Sequence, residues 1–299
     1  MSEPPLISVV IPSVNGLPVL EECLAALNDQ DGDISIEILV VDRCGEQLRS
    51  MTRRRFPGVI LLPVEGKPSI PAMRAIGIAR ARGRVIAMLE DHCMVNRNWC
   101  AVLEREHRAG HEVVGGAVEN GSVERIVDWA AFFCEYSRFM PPVPWGVVPA
   151  ITGNNTAYDR HVLERLGPAL HDEVWEAFLH QRISDLGVPF HSAPDLVVRH
   201  KKEFGYLYFL AQRYHYSRSF AAMRLAAAPR WKRFAYACGA VLLPALLMSR
   251  IAADVFRKRF YLPRFLLALP VLATFLGAWS VGEAVGALSG GGLSLAEVE

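Results

Sequence analysis

The chain predicts an α/β fold, a mostly parallel sheet sandwiched by helices, followed by C-terminal helices apolar enough for a membrane. Three observations predict it. Short β-branched runs alternate with helix-period segments from Leu6 to Val118. Each run stops at turn-forming or polar residues, and from about Trp231 the composition turns strongly apolar.

Leu6–Pro12 (LISVVIP) is a β-branched run closed by proline, which suits a buried strand. After the Asn15-Gly16 turn signal, Leu17–Asn28 carries leucines at helical spacing. Ile36–Asp42 (IEILVVD) reads as a second strand and Val59–Pro63 as a third. Pro71–Arg82 is an Ala/Arg helix with proline in its first turn, where a missing N–H costs nothing, and Gly83 ends it. Val85–Leu89 is a fourth strand, Trp99–Ala109 a helix, and Glu112–Val118 a fifth strand. Strand–helix alternation at this spacing gives a mostly parallel sheet.

Open sheets of this kind bind ligands at the carboxyl ends of their strands, which singles out Pro12–Gly16, Asp42–Cys44 and Glu90–His92. Asp42 offers a carboxylate either to a base or ribose or to the next turn as a cap. Glu90 and His92, two apart on an extended segment, share a side and can reach one divalent ion, with Asp91 between them as a further oxygen ligand. The competing reading of the triplet is structural. No GxGxxG follows the first strand and no GxxxxGK[ST] occurs, which counts against dinucleotide and P-loop readings.

With these residues in view, the chain resembles glycosyltransferase family 2, inverting enzymes of GT-A fold. The matching segments are ISVVIPSVNG (Ile7–Gly16), EILVVD (Glu37–Asp42), Met73-Arg74 with ARARG (Ala79–Gly83), and VIAMLEDH (Val85–His92). TGNNTAYDR (Thr152–Arg160), LERLG (Leu163–Gly167) and HDEVWEAFLHQRISDLG (His171–Gly187) follow in order.

The resemblance implies that Pro12 and the turn beyond it, with Asn15, line a nucleotide pocket. It places Asp42 on a uridine-type base, Arg74 near the donor, and Glu90, Asp91 and His92 at the DxD position that holds a metal on the donor diphosphate. His200 matches a histidine near that metal. The implied cofactors are a divalent ion, Mn²⁺ or Mg²⁺, and a nucleotide sugar, a UDP-sugar first. Replacing outer aspartates by Glu90 and His92 tilts the preference toward Mn²⁺.

Relatives carry a Glu-Asp pair on the acceptor side, with Asp as general base; here Trp175-Glu176-Ala177 stands there. Glu176 is then the first candidate base, with Glu173 and Asp172 next. Asn154, Asn155 and Trp175 fall on the acceptor side, although Gly-Asn-Asn is also ordinary turn chemistry. Trp145, in the proline-rich Pro141–Pro149, is a sugar-stacking platform or a packed loop anchor. His107, His111, His161, His171, His180 and His191 show no metal-ligand spacing and read as surface or core histidines. Gln212-Arg213-Tyr214-His215-Tyr216 replaces the QxxRW of processive relatives, which predicts transfer of a single sugar. The altered triplet and missing pair also motivate a second reading, a catalytically inactive sugar-nucleotide-binding scaffold.

A formal net charge of +1 gives no global field for nucleic acid. Six scattered cysteines without a CxxC pair fit a reducing compartment. The start, MSEPPLISVVIP, carries acid and proline where a signal peptide carries basic residues, so the catalytic region is expected on the cytoplasmic face of a membrane.

The expected division is 1–228, catalytic, and 229–299, membrane-associating. The tail holds apolar segments at about 234–249 and 265–288 with basic residues around them, suited to anionic lipid. Two spanning helices, or an interfacial first segment and one span, both fit; buried core helices are the alternative. The aromatic-rich Phe204–Phe220 is expected at the membrane surface or packed in a core. A lipid-linked or glycan acceptor follows from that proximity.

Overall fold

The computed structural model describes residues 4–298, apart from the side chain of His171. Part of the N-terminal segment read as unlike a signal peptide, Met1–Glu3, therefore lies outside the described residues. The chain forms two compact units, one running to Gly121 and resuming over Phe139–Lys201, the other made of Ser122–Arg138 and the chain from Lys202 onward.

The first unit opens with β1 (Ile7–Ser13), α1 (Leu17–Asn28), β2 (Ile36–Asp42), α2 (Glu46–Arg55), β3 (Ile60–Pro63), α3 (Ile70–Arg80) and β4 (Val85–Leu89). These strands lie in parallel in the order β3-β2-β1-β4. Their near-continuous Val/Ile/Leu runs are what strands covered on both faces require, and β1 and β4 are buried throughout. Ser69 caps α3 by accepting the Ala72 N–H at 3.3 Å.

The second half of the sheet is mixed. It contains β5 (Cys93–Val95), then after α4 (Trp99–Arg108) comes β6 (Val113–Asn120). In the helical unit lies α5 (Ile126–Tyr136); the sheet resumes with β7 (Gly146–Val148), β8 (Asn155–Asp159), α6 (Arg160–Leu166), α7 (Glu176–Asp185) and β9 (Phe190–His200). β8 runs antiparallel between β4 and β6, while β9 pairs parallel to β6 and antiparallel to β5 and β7. Where the β6–β9 register shifts after Gly116, a Cβ at that residue would collide with the Leu196 carbonyl. Only glycine lets the two backbones approach so closely.

Two registers position the site. Leu89 pairs with Asn155, so the turn before β8 arrives beside Glu90. Cys93 pairs with His200, which sets the end of β9 against the residue following His92; Lys201 N–H donates to the His92 carbonyl at 2.8 Å.

The second unit is helical: α5 with α8 (Tyr206–Arg224), α9 (Arg230–Gly239), α10 (Leu243–Lys258) and α11 (Leu262–Ser289). This division falls earlier than the composition shift at 229. α11 packs on α8 through Gly282 and Gly286, where a Cβ would strike the Tyr214 and Arg218 carbonyls; small residues at this spacing let helix backbones touch. Arg213 is buried in an ion pair with Glu135 at 2.6 Å, its guanidinium facing the Phe209, Tyr216 and Trp279 rings. Packing against neighbours thus occupies much of the aromatic-rich helix. Arg230–Lys258 and Leu262–Ser289 are each long and apolar enough to cross a membrane. Phe234, Val241, Leu242, Leu266 and Leu267 on them are exposed.

Candidate functional site

At the carboxyl end of β4 the chain turns through Glu90, Asp91 and His92, and β9 brings His200 alongside. His92 Nε2 lies 2.8 Å from His200 Nε2, and Glu90 Oε2 lies 3.4 Å from the first and 3.7 Å from the second. The histidines are buried and Glu90 is partly open. One carboxylate and two imidazoles converging this closely form a set able to hold a metal ion.

Asp91 takes a different place from the one expected of a ligand. Its carboxylate is buried and spent on other partners: Oδ2 accepts the Val14 and Asn15 backbone N–H groups at 2.7 and 2.9 Å, and Oδ1 accepts Asn15 Nδ2 at 2.7 Å. Oδ1 also meets His92 Nδ1 at 2.8 Å. Burial alone would raise this carboxyl, but the bond and charge of His92 and the Asn15 donors outweigh it and hold it below the usual carboxylate range. Asp91 thereby ties the turn after β1 to the end of β4 and fixes His92 with Nε2 facing its neighbours.

A polar chain continues from Glu90. Arg74, buried on α3, reaches Glu90 Oε1 at 3.4 Å with one nitrogen and Glu176 Oε1 with another. Asn154 Nδ2 donates to Glu90 Oε2 at 3.3 Å and its Oδ1 accepts from Thr152 Oγ1. Glu176 begins α7 and lies over Gly153, where a Cβ would strike its side chain. Glu173 accepts from Ser69 Oγ at 2.6 Å, a partner that sequence reasoning missed although Ser69 precedes the helix-starting Ile70-Pro71.

Several expected site residues stand elsewhere. Asp172 pairs with Arg182 at 2.9 Å and is largely exposed, so its carboxylate is engaged by a partner outside the Glu176–Arg74–Glu90 chain. Asn155 is fully buried: its amide donates to the Ala117 and Leu196 carbonyls and its oxygen accepts from Trp99 Nε1, a pin across the sheet that leaves nothing for an acceptor. Trp175 is likewise buried, as the residue preceding α7. Pro12 lies inside β1, so the turn beyond it is the reachable part. Asp42 is buried, its carboxylate accepting from the Cys44 and Gly45 N–H groups and paired with Arg49 at 2.8 Å, which is the capping alternative. Trp145 is 67% exposed, with its ring 5.1 Å from His191.

Comparison with known proteins follows the same lines. The family described as Glycosyl transferase family 2 matches residues 8–167. The glycosyltransferase AglE of Haloferax volcanii is 32% identical over 125 residues, 38% of this chain and 40% of that protein, so the match spans two fifths of the relative's length. Among solved structures, the mannosyltransferase PcManGT from Pyrobaculum calidifontis, in complex with GDP-Man and Mn²⁺, superposes with a TM-score of 0.56 at 20% identity over 94% of this chain and 88% of that one. TarS from S. aureus, in complex with UDP-GlcNAc, gives 0.50 at 14% identity over 93% and 90%. These likenesses identify the sheet and its flanking helices as GT-A-like.

Proposed function

This chain belongs to glycosyl transferase family 2, and we propose that, as such an enzyme, it moves one sugar from a nucleotide-diphosphate sugar to an acceptor hydroxyl or phosphate by an inverting displacement. The observation that carries this reading is the convergence of Glu90, His92 and His200 at the end of β4. A divalent ion fits there, because the donor set is two imidazole nitrogens and one carboxylate oxygen, with Asp91 behind His92 as the outer partner that metal-binding histidines require. Mn²⁺ suits that mixed set better than Mg²⁺, which prefers oxygen. When bound, the ion supplies Lewis-acid neutralisation of the leaving diphosphate.

The remaining chemistry belongs to side chains. The turn carrying Asn15 is held against Asp91, so its position is set by the same carboxylate that orients His92. Arg74 bridges Glu90 and Glu176, and an incoming diphosphate competes for that guanidinium, freeing Glu176. The Glu176 carboxylate then accepts the acceptor proton as the new C–O bond forms at the anomeric carbon and the bond to the diphosphate breaks. An acceptor phosphate is already ionised and needs no base. Asn154 is buried and donates to Glu90, so its proposed part is to hold that carboxylate in place.

The donor class proposed is a UDP-sugar, with GDP-sugars as the comparison, since one solved relative holds UDP-GlcNAc and another GDP-Man. Two apolar helical stretches with exposed apolar side chains support membrane association of the tail; a lipid-linked acceptor and a catalytic region on the cytoplasmic face are the further parts of this proposal.

Glu176→Gln is expected to lower turnover with a hydroxyl acceptor by about 10²-fold or more while UDP-sugar binding is retained. Glu173→Gln is expected to leave most of the activity. Unchanged turnover in Glu176→Gln removes that residue from the base role, and donor binding without turnover in the unaltered protein favours the scaffold reading.

A further inference from the structure

The opposite end of β9 carries a second cluster. His191 lies nine residues before His200, about 30 Å along an extended strand. There Glu106, in the last turn of α4, and His111, just past the Gly110 turn, meet His191. Each offers one ligand atom, and the three atoms lie within 4.8 Å of one another. Glu106 Oε2 contacts His111 Nδ1 at 2.9 Å, and the two imidazole rings stack with centroids 3.4 Å apart and planes 13° apart. Trp145 stands edge-on beside both rings. Arg105 holds the other Glu106 oxygen at 2.7 Å.

We propose that Glu106, His111 and His191 form a second metal site, for a divalent transition ion of the zinc class, apart from the Glu90 cluster.

His191 is 92% buried by its 8% exposure, and its Nε2 meets no hydrogen-bond partner among the described residues. A buried imidazole nitrogen in that state lacks the compensation that buried polar atoms need, and a metal ion supplies it. Two imidazoles and a carboxylate make a donor set that selects Zn²⁺ over Mg²⁺ or Ca²⁺, and three protein ligands leave a fourth position for water. Bonds of about 2.1 Å put ligand atoms roughly 3.4 Å apart, and because a ring nitrogen binds in its own plane, closing the cluster turns the two stacked rings out of parallel. The ion would clip the end of α4 to the start of β9, beneath the loop bearing Trp145. Plain aromatic stacking of two neutral histidines is the competing account; it explains the rings but not the partnerless nitrogen.

Zn²⁺ binding to the full chain, measured by equilibrium dialysis with elemental analysis, tests the proposal. With the first cluster silenced by His92→Gln and His200→Gln, one Zn²⁺ per chain is expected. Adding His111→Asn and His191→Asn should weaken that binding at least tenfold. No Zn²⁺ in the first protein, or equal Zn²⁺ in both, overturns the site. Because the variants can misfold, the unaltered chain is also treated with diethyl pyrocarbonate and mapped by mass spectrometry. Saturating Zn²⁺ should slow modification of His111 at least tenfold while the exposed His161 still reacts. Equal modification of His111 with and without Zn²⁺ contradicts the proposal.

Discussion

Asp91 accepts hydrogen bonds from two backbone N–H groups and one amide and braces an imidazole, all while buried. Its work is indirect: it holds His92 in one orientation and one tautomer, and outer partners of that kind tune metal affinity. Asp91→Asn keeps the size but loses one acceptor, and is expected to weaken Mn²⁺ binding about 10–100-fold in a calorimetric titration. Affinity within twofold of the unaltered protein would show that His92 is held by something else. The pair Glu90/His92 was legible in the sequence, because side chains two apart in an extended segment share a side. His200 came only through the family resemblance, since no local pattern links it to His92. The role of Asp91 was not legible, because it depends on the Val14–Asn15 turn arriving from a neighbouring strand. His111 and His191 read in sequence only as surface or core histidines for the same reason: strand pairing and the α4 turn bring together residues with no motif spacing.

Helix α7 carries Glu176 at its start and His180 one turn later, buried against Tyr158 with Tyr158 Oη 2.7 Å from His180 Nε2. Burial, and then the positive charge of Arg74, push the His180 pKa down to about 4 from an ordinary 6.5. The folded chain thus keeps this imidazole neutral where the unfolded chain protonates. Stability is full above pH 6.5 and declines as pH falls from there toward 4, by about 3 kcal/mol. Thermal melting across that window should show the decline, and His180→Gln should flatten it. An identical pH dependence in both proteins would place the titration elsewhere.

The regular strands were readable because fully covered parallel strands are runs of branched apolar residues; β4 spans the residues expected, as does α1. The short strands β5, β7 and β8 were not, since a few residues carry no usable period. Helix α2, EQLRSMTRRR, hid behind its polar composition, with only Leu48 and Thr52 buried.

Two compact units divide the chain, one built on the sheet and one helical. The helical unit draws in α8, whose backbone α11 approaches closely through Gly282 and Gly286, and α5, whose Phe133 meets Phe265 of α11 edge to face. Helix α11 has 28 residues, about 42 Å of helix, against a hydrocarbon core of about 30 Å. Full-length protein is therefore expected in the membrane fraction, resistant to alkaline carbonate. Release by carbonate would mean that these helices lie on the surface or pack within protein.

Sugar transfer by this chain depends, on the proposed mechanism, on Glu90, His92 and His200 holding an ion that in turn holds a diphosphate. Calorimetric titration of UDP into the full-length protein, with and without Mn²⁺, tests this directly, alongside the His92→Gln/His200→Gln variant. Mn²⁺ is predicted to tighten UDP binding at least tenfold in the unaltered chain and to leave the variant unaffected. UDP affinity that ignores Mn²⁺ in the unaltered chain, or that responds equally in the variant, would contradict it.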